Sequence, residues 1–216
     1  MCQLVSRFNR LLAATVCLAA GLIFPATAAL TNENGAGAFV TGKYRNLFAE
    51  AGKSPAEIRR KIDSAFQQLF HGNPTNEAVY FEAGTNENGR LAFITDIKHR
   101  DVRSEGLSYG MMIAVQLDKK QEFDRIWKFA KTFMYHDDGP LRGYFTWHTA
   151  YDGSMTRKDG SVIRGNGPAP DGEEWFVMAL FFASHRWGDG EGIFNYGAEA
   201  QSLLRTMIHK DKDPDR

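Results

Sequence analysis

Two stretches of the chain repeat one pattern. An acidic residue is followed at once by glycine, four residues later by a ring and seven residues later by methionine. In the first stretch Glu105-Gly106 leads into Tyr109, Met111, Met112, Ala114, Val115 and Leu117. In the second Asp171-Gly172 leads into Trp175, Phe176, Met178, Ala179, Leu180, Phe181 and Phe182. A helix that is apolar almost all round belongs inside a layer of other elements. Each is followed by a turn and an amphipathic return helix: Glu122 to Phe133, with Phe123, Ile126, Trp127 and Ala130 on one side, and Tyr196 to Ile208. This period predicts stacked helix pairs, the apolar helix inside and the amphipathic one outside. It also brings Glu105 and Asp171 to equivalent inner-helix N-termini, and so to one rim.

The remaining segments frame these units. Residues 1–28 read as a signal peptide: Arg7 and Arg10 form a basic start, Leu11 to Phe24 an apolar run broken by Gly21, and Ala26-Thr27-Ala28 a small-residue cleavage site. The apolar run is short of the ~20 residues a membrane span needs. The expected location is therefore export, to the periplasm or beyond, with no membrane attachment after cleavage. Residues 29–43 form a Gly/Asn-rich flexible leader, and 44–216 are read as one globular domain or a part of one. Both cysteines, Cys2 and Cys17, fall in the removed segment, which excludes a disulfide framework or cysteine metal site in the mature chain. Removing Arg7 and Arg10 leaves 24 basic groups (26 minus 2) against 26 acidic ones, a balance that favours neither nucleic acid nor an anionic membrane.

Ser54-Pro55 with Glu57 is a helix start, and Ile58, Ile62, Phe66, Leu69 and Phe70 follow at helical spacing as far as Gly72-Asn73-Pro74. Val79 to Thr95 alternates short apolar runs with Gly84 and Gly89, which predicts extended segments or a small hairpin. The Gly/Pro-rich stretch 137–170 is too irregular for a long helix and reads as a functional-length loop. His136-Asp137-Asp138-Gly139 and Asp189-Gly190-Glu191 lack the alternating oxygen ligands of a calcium loop and read as turns. His148, His185 and His209 have no metal spacing.

A carboxylate at a helix N-terminus has an ordinary explanation, because it complements the helix dipole and caps free N–H groups. Two of them, each followed by glycine and a ring and aimed at one rim, point instead to acid-catalysed glycosidic cleavage. That chemistry needs one carboxyl to protonate the leaving oxygen and another to activate water or stabilise charge at the sugar. The donor must hold its proton near the working pH, so a second negative charge beside it favours the assignment.

The segment from Ser104-Glu105-Gly106-Leu107 through Ser108-Tyr109-Gly110-Met111-Met112 resembles the signature of glycoside hydrolase family 8. Pro170-Asp171-Gly172-Glu173-Glu174-Trp175-Phe176, running on to His185-Arg186-Trp187-Gly188, resembles its second block. Asn46-Leu47-Phe48, Val102-Arg103-Ser104-Glu105 and Tyr144-Phe145-Thr146-Trp147 are most similar to the reducing-end xylose-releasing exo-oligoxylanases of that family. The resemblance runs from about Tyr44 to the C-terminus. It implies an all-α fold, the (α/α)6 barrel, and an inverting mechanism with no metal or other cofactor. By the same resemblance Glu105 is the proton donor and Asp171 the assisting acidic residue at the scissile subsite. Trp147 is then a stacking platform, and Tyr109 lines the same subsite.

The resemblance implies a partner, a xylo-oligosaccharide, cut at its β-1,4 bonds to release xylose from the reducing end, and a monomer when full length. The family places its base in a later part of a longer chain. No residue here matches that motif, neither Asp96, Asp101 nor Asp213, so the base is expected beyond Arg216 and the barrel is expected to be incomplete. Exposed apolar sides on its terminal helices, costly at ~25 cal/mol per Å², would invite association. Two alternatives stay open: an endo-acting glucanase, xylanase or chitosanase of the same family, and an inactive fragment. A paired-helix isomerase would want histidine at the rim, where Glu105 and Asp171 stand.

Overall fold

The computed structural model describes residues 41–209. The signal peptide expected at 1–28, the leader up to residue 40, and Asp213 lie outside the described residues. The chain divides into two compact units, ending and beginning at Lys53 and Ser54. In the first, the single-turn helix α1 (Leu47–Glu50) is capped by Asn46, whose side chain accepts the Ala49 N–H at 3.0 Å, and an Arg45–Glu50 ion pair spans it.

The second unit opens with α2 (Pro55–His71). Ser54 and Glu57 cap each other reciprocally there, with proline in the first turn. Phe66 and Phe70 form its buried face, their rings stacked at 4.4 Å, and Phe70 continues onto Tyr80 at 5.3 Å. Tyr80 begins β1 (Tyr80–Asn86), which turns through Glu87-Asn88 into β2 (Gly89–Asp96) as an antiparallel hairpin. Two short strands extend this hairpin into a four-stranded antiparallel sheet of order β1-β2-β3-β4: β3 (Asp101–Arg103) and β4 (His148–Thr149).

Four further α-helices follow: α3 (Ser104–Gln116), α4 (Lys120–Phe133), α5 (Pro170–Trp187) and α6 (Tyr196–His209). The helix α3 packs on both α4 and α5, α5 packs on α6, and α4 covers β2. The two pairs expected from the repeat, α3 with α4 and α5 with α6, are therefore joined through their first helices. Gly110 permits the close seat of α3 on the sheet, since a Cβ there would stand 2.6 Å from Ile94 Cγ1 and 3.1 Å from Ile126 Cδ1. The core between the layers is Leu107, Met111 and Val115 of α3, Phe123, Ile126 and Trp127 of α4, and Phe176 and Leu180 of α5.

One expectation needs correction. The helices α3 and α5 are not buried on every side. Tyr109, Ile113, Trp175, Met178 and Phe182 are each 37–47% exposed. Spacings of three and four residues put them in one stripe on each helix, opposite the face that meets the sheet and the return helices.

Candidate active site

The strand β3 runs without a break into α3, so its register fixes where α3 begins. Arg103 pairs with His148 and Val102 with Thr149, and the Ser104 N–H donates to the Trp147 carbonyl at 3.0 Å. Trp147 is thereby held at the first residue of α3. The start of α5 meets the same point. A Cβ on Gly172 would stand 2.8 Å from Ser104 Cβ and 3.2 Å from the Ser104 carbonyl carbon, so only glycine lets the two helix ends close on each other. Glu105 follows Ser104 and Asp171 precedes Gly172. Both carboxylates are exposed at this junction, on one rim as the repeat predicts.

Tyr109 links them. It lies one turn beyond Glu105, and its hydroxyl is held above the usual phenol range, first by partial burial and then by the nearby negative charges of Glu105 and Asp171. One side chain thus senses both acids. Trp175, the matching ring of the second repeat, meets Tyr109 edge to face at 5.5 Å and 87°. Trp175 was not singled out from the sequence as a site residue. Its place in the repeat, four residues after Asp171 as Tyr109 is after Glu105, was the available signal.

Trp147 is half-buried. One face of its indole lies on His148, with centroids 3.5 Å apart and planes at 15°, and the Arg103 guanidinium stands 5.2 Å from the ring centroid. The face on His148 is closed to a ligand, so any sugar must use what remains of the ring. Beneath it the His148 Nε2 points at the carbonyls of Arg164 (2.9 Å) and Gly165 (3.2 Å), an environment that calls for a donor. The fully buried Asp101 accepts from Arg157 Nη2 at 2.9 Å and Arg103 Nε at 3.1 Å. Asp101 therefore secures the 150–165 loop to β3. Asp96 accepts the His99 N–H at 2.8 Å and pairs with Arg103 at 3.1 Å. Both aspartates serve ion pairs.

The acid that the sequence did not single out is Glu173. It is fully buried, and its Oε1 accepts the Phe145 N–H at 3.1 Å, while Phe145 packs into an aromatic cluster with Trp127 and Phe176. Burial pushes its carboxyl up to about 7 against the opposing Phe145 N–H bond, with the charge of Asp171 adding to the rise. The signal available was helical phase. Phe176, Val177 and Leu180 lie three, four and seven residues on, and all are buried, so Glu173 falls on the inward face.

Chemically, the rim offers two exposed carboxylates, a phenol one turn from the first and indole surface beside them, which is the equipment for protonating an ether oxygen next to a bound sugar.

Comparison with known proteins accords with this geometry. The family model described as glycosyl hydrolases family 8 matches residues 71–211. Over 174 residues the chain is 48% identical to the reducing end xylose-releasing exo-oligoxylanase of Halalkalibacterium halodurans, covering 80% of this chain and 42% of that protein. A family 8 xylanase from Teredinibacter turnerae, solved as a catalytic mutant with xylohexaose, superposes with a TM-score of 0.72 at 58% identity, covering 80% of this chain and 43% of that one. Rex8A from Paenibacillus barcinonensis, complexed with xylose, superposes with a TM-score of 0.70 at 44% identity, covering 81% and 43%. The chain spans less than half the length of the curated relatives it matches.

Proposed function

The chain belongs to glycosyl hydrolase family 8, whose structures are (α/α)6 barrels of which these helix pairs form a part, and from that premise we propose that it acts on β-1,4-linked xylo-oligosaccharides, releasing xylose from the reducing end with inversion. Glu105 passes its proton to the glycosidic oxygen as the bond to the anomeric carbon breaks. Water adds to that carbon from the opposite face and gives its proton to a base, a role assigned to none of the described carboxylates. Asp171 binds the sugar that precedes the scissile bond. Tyr109 stands one turn from Glu105 beside Trp175, and Trp147 offers to a sugar ring the part of its indole that His148 leaves uncovered.

The observation that carries this reading is the closure of Gly172 on Ser104, which sets the exposed Glu105 and Asp171 at one junction of two helix starts. Xylotriose cleavage by the purified chain beside its Glu105→Ala variant is the test. General acids contribute about 10² to 10⁴ in rate, so a loss of that size on substitution is expected. An unsubstituted chain with no turnover would reject the hydrolytic reading in favour of an inactive, sugar-binding fragment.

A second reading, cleavage inside the polymer, is favoured by one finding. The Teredinibacter turnerae structure is 58% identical and is described as a xylanase, whereas the three curated exo-oligoxylanases are 41–48% identical. Products separate the two. Xylose and xylobiose from xylotriose, with no mid-length fragments from xylan, support exo action; mid-length fragments from xylan select the endo reading.

A further inference from the structure

We propose that Glu173 is a positioning residue: its buried carboxylate ties the start of α5 to the 145–147 segment and thereby sets Glu105, Asp171 and Trp147 in one arrangement. The inference deepens the hydrolytic reading above and rests on it for its consequence, though not for its geometry.

The argument is a closed circuit of contacts. From α5, Glu173 Oε1 accepts the Phe145 N–H at 3.1 Å. Two residues on, the Trp147 N–H donates to the Gly167 carbonyl at 3.0 Å, and the Trp147 carbonyl accepts from Ser104 N–H at 3.0 Å. Ser104 then abuts Gly172, the residue before Glu173, which returns the circuit to α5. Each site residue hangs from a member of this ring or is one: Glu105 follows Ser104, Asp171 precedes Gly172, and Trp147 lies within it. Every link but one is backbone or a glycine contact. Glu173 is the single side chain that closes the ring with a charge-capable oxygen.

Its setting argues against a merely solvated helix-start acid. Asp171 and Glu174 in the same turn are exposed, as such acids ordinarily are, whereas Glu173 is fully buried beside Phe145. Burying a carboxyl is costly, and in the described residues Oε1 meets one backbone donor while Oε2 meets none. Pure stabilisation would be served better by an apolar side chain of similar size. What an apolar side chain cannot do is accept the Phe145 N–H.

The test compares Glu173→Met, which keeps the volume and loses the acceptor, with Glu173→Gln, which keeps a carbonyl oxygen for Phe145. Residue-resolved amide exchange is read at Ser104, Phe145 and Trp147, with Trp127 and Phe129 of α4 as reference, alongside xylotriose turnover. In Glu173→Met, protection at the three ring amides should fall by about tenfold or more while the α4 amides hold, a local opening rather than a global one. Turnover should fall on the order of 10²-fold, the cost of a misplacement of about 1 Å, and Glu173→Gln should restore most of both. Unchanged ring amides in Glu173→Met, an equal loss of protection in α4, or a Gln variant that behaves like Met would each overturn the proposal. Should the unsubstituted chain not turn over xylotriose, the hydrolytic reading fails on that result, and the amide pattern still decides the role of Glu173.

Discussion

Asp171 and Glu173 are separated by one residue in the first turn of α5, yet the first faces water and the second faces rings. The difference has a consequence for stability. The Glu173 carboxyl is raised to about 7 in the folded chain, chiefly by burial, against about 4.3 when unfolded. Between those values the native chain holds a proton that the unfolded chain has lost, so stability is full below the unfolded value and falls as pH rises toward 7. At about 1.4 kcal/mol per unit the full loss between those values is roughly 4 kcal/mol. Urea unfolding at pH 5 and pH 8 should show the unsubstituted chain losing more stability across that interval than Glu173→Gln, whose amide does not titrate. Equal losses in the two would show that Glu173 does not titrate in this range. Glu105 and Asp171 were legible in the sequence because each starts a repeat unit. Glu173 was not, because an acid beside Asp171 and Glu174 reads as part of one helix-start cluster, and only the burial of Phe176, Val177 and Leu180 separates it from them.

At the level of elements, the contact between α3 and α5 depends on Gly172. A methyl group there would crowd both the side chain and the carbonyl carbon of Ser104, and backbone does not yield as the tip of a flexible side chain does. Gly172→Ala gains roughly 1 kcal/mol in helix propensity but incurs about 1–3 kcal/mol from overpacking, so the expected balance is destabilising. At 2–4 °C per kcal/mol for a chain of this size, a net cost of up to about 2 kcal/mol should appear in calorimetry as a Tm lower by up to roughly 8 °C. Gly167→Ala is the control: no atom lies within 4 Å of its added carbon, and Tm should stay close to that of the unsubstituted chain. The helix pairs themselves were readable from their apolar and amphipathic periods, and the β1–β2 hairpin from its alternation. The strands β3 and β4 were not, since three and two residues are too short to display a period. They exist because Thr95 pairs with Val102 and Val102 with Thr149, the second a partner that the linear order places far away. The loop around Trp147 is ordered by that pairing and by Asp101, whose buried ion pairs reach across more than fifty positions to Arg157.

For the whole molecule, the decisive feature is the stripe that begins at the two acids and continues as Tyr109 and Ile113 on α3 and Trp175, Met178 and Phe182 on α5. It explains why two helices that are apolar almost all round are not buried all round: the sheet and the return helices cover one side only. In the Teredinibacter turnerae structure the matched region is 43% of the chain, so the fold is built there with more than this chain supplies. Contiguous exposed apolar surface marks association. The 216-residue chain should therefore gain mass with concentration in sedimentation velocity, and substituting Met178→Lys together with Phe182→Glu should hold it at monomer mass. Both side chains are nearly half exposed, so the far-UV circular dichroism should not change. The double variant also separates this surface from the acids, because Glu105, Asp171 and Tyr109 are untouched. A chain that stays monomeric at high concentration before substitution would show that the stripe does not drive association. Equal association in the parent chain and the double variant would place the contact elsewhere, on surfaces such as the exposed Ile97 turn after β2.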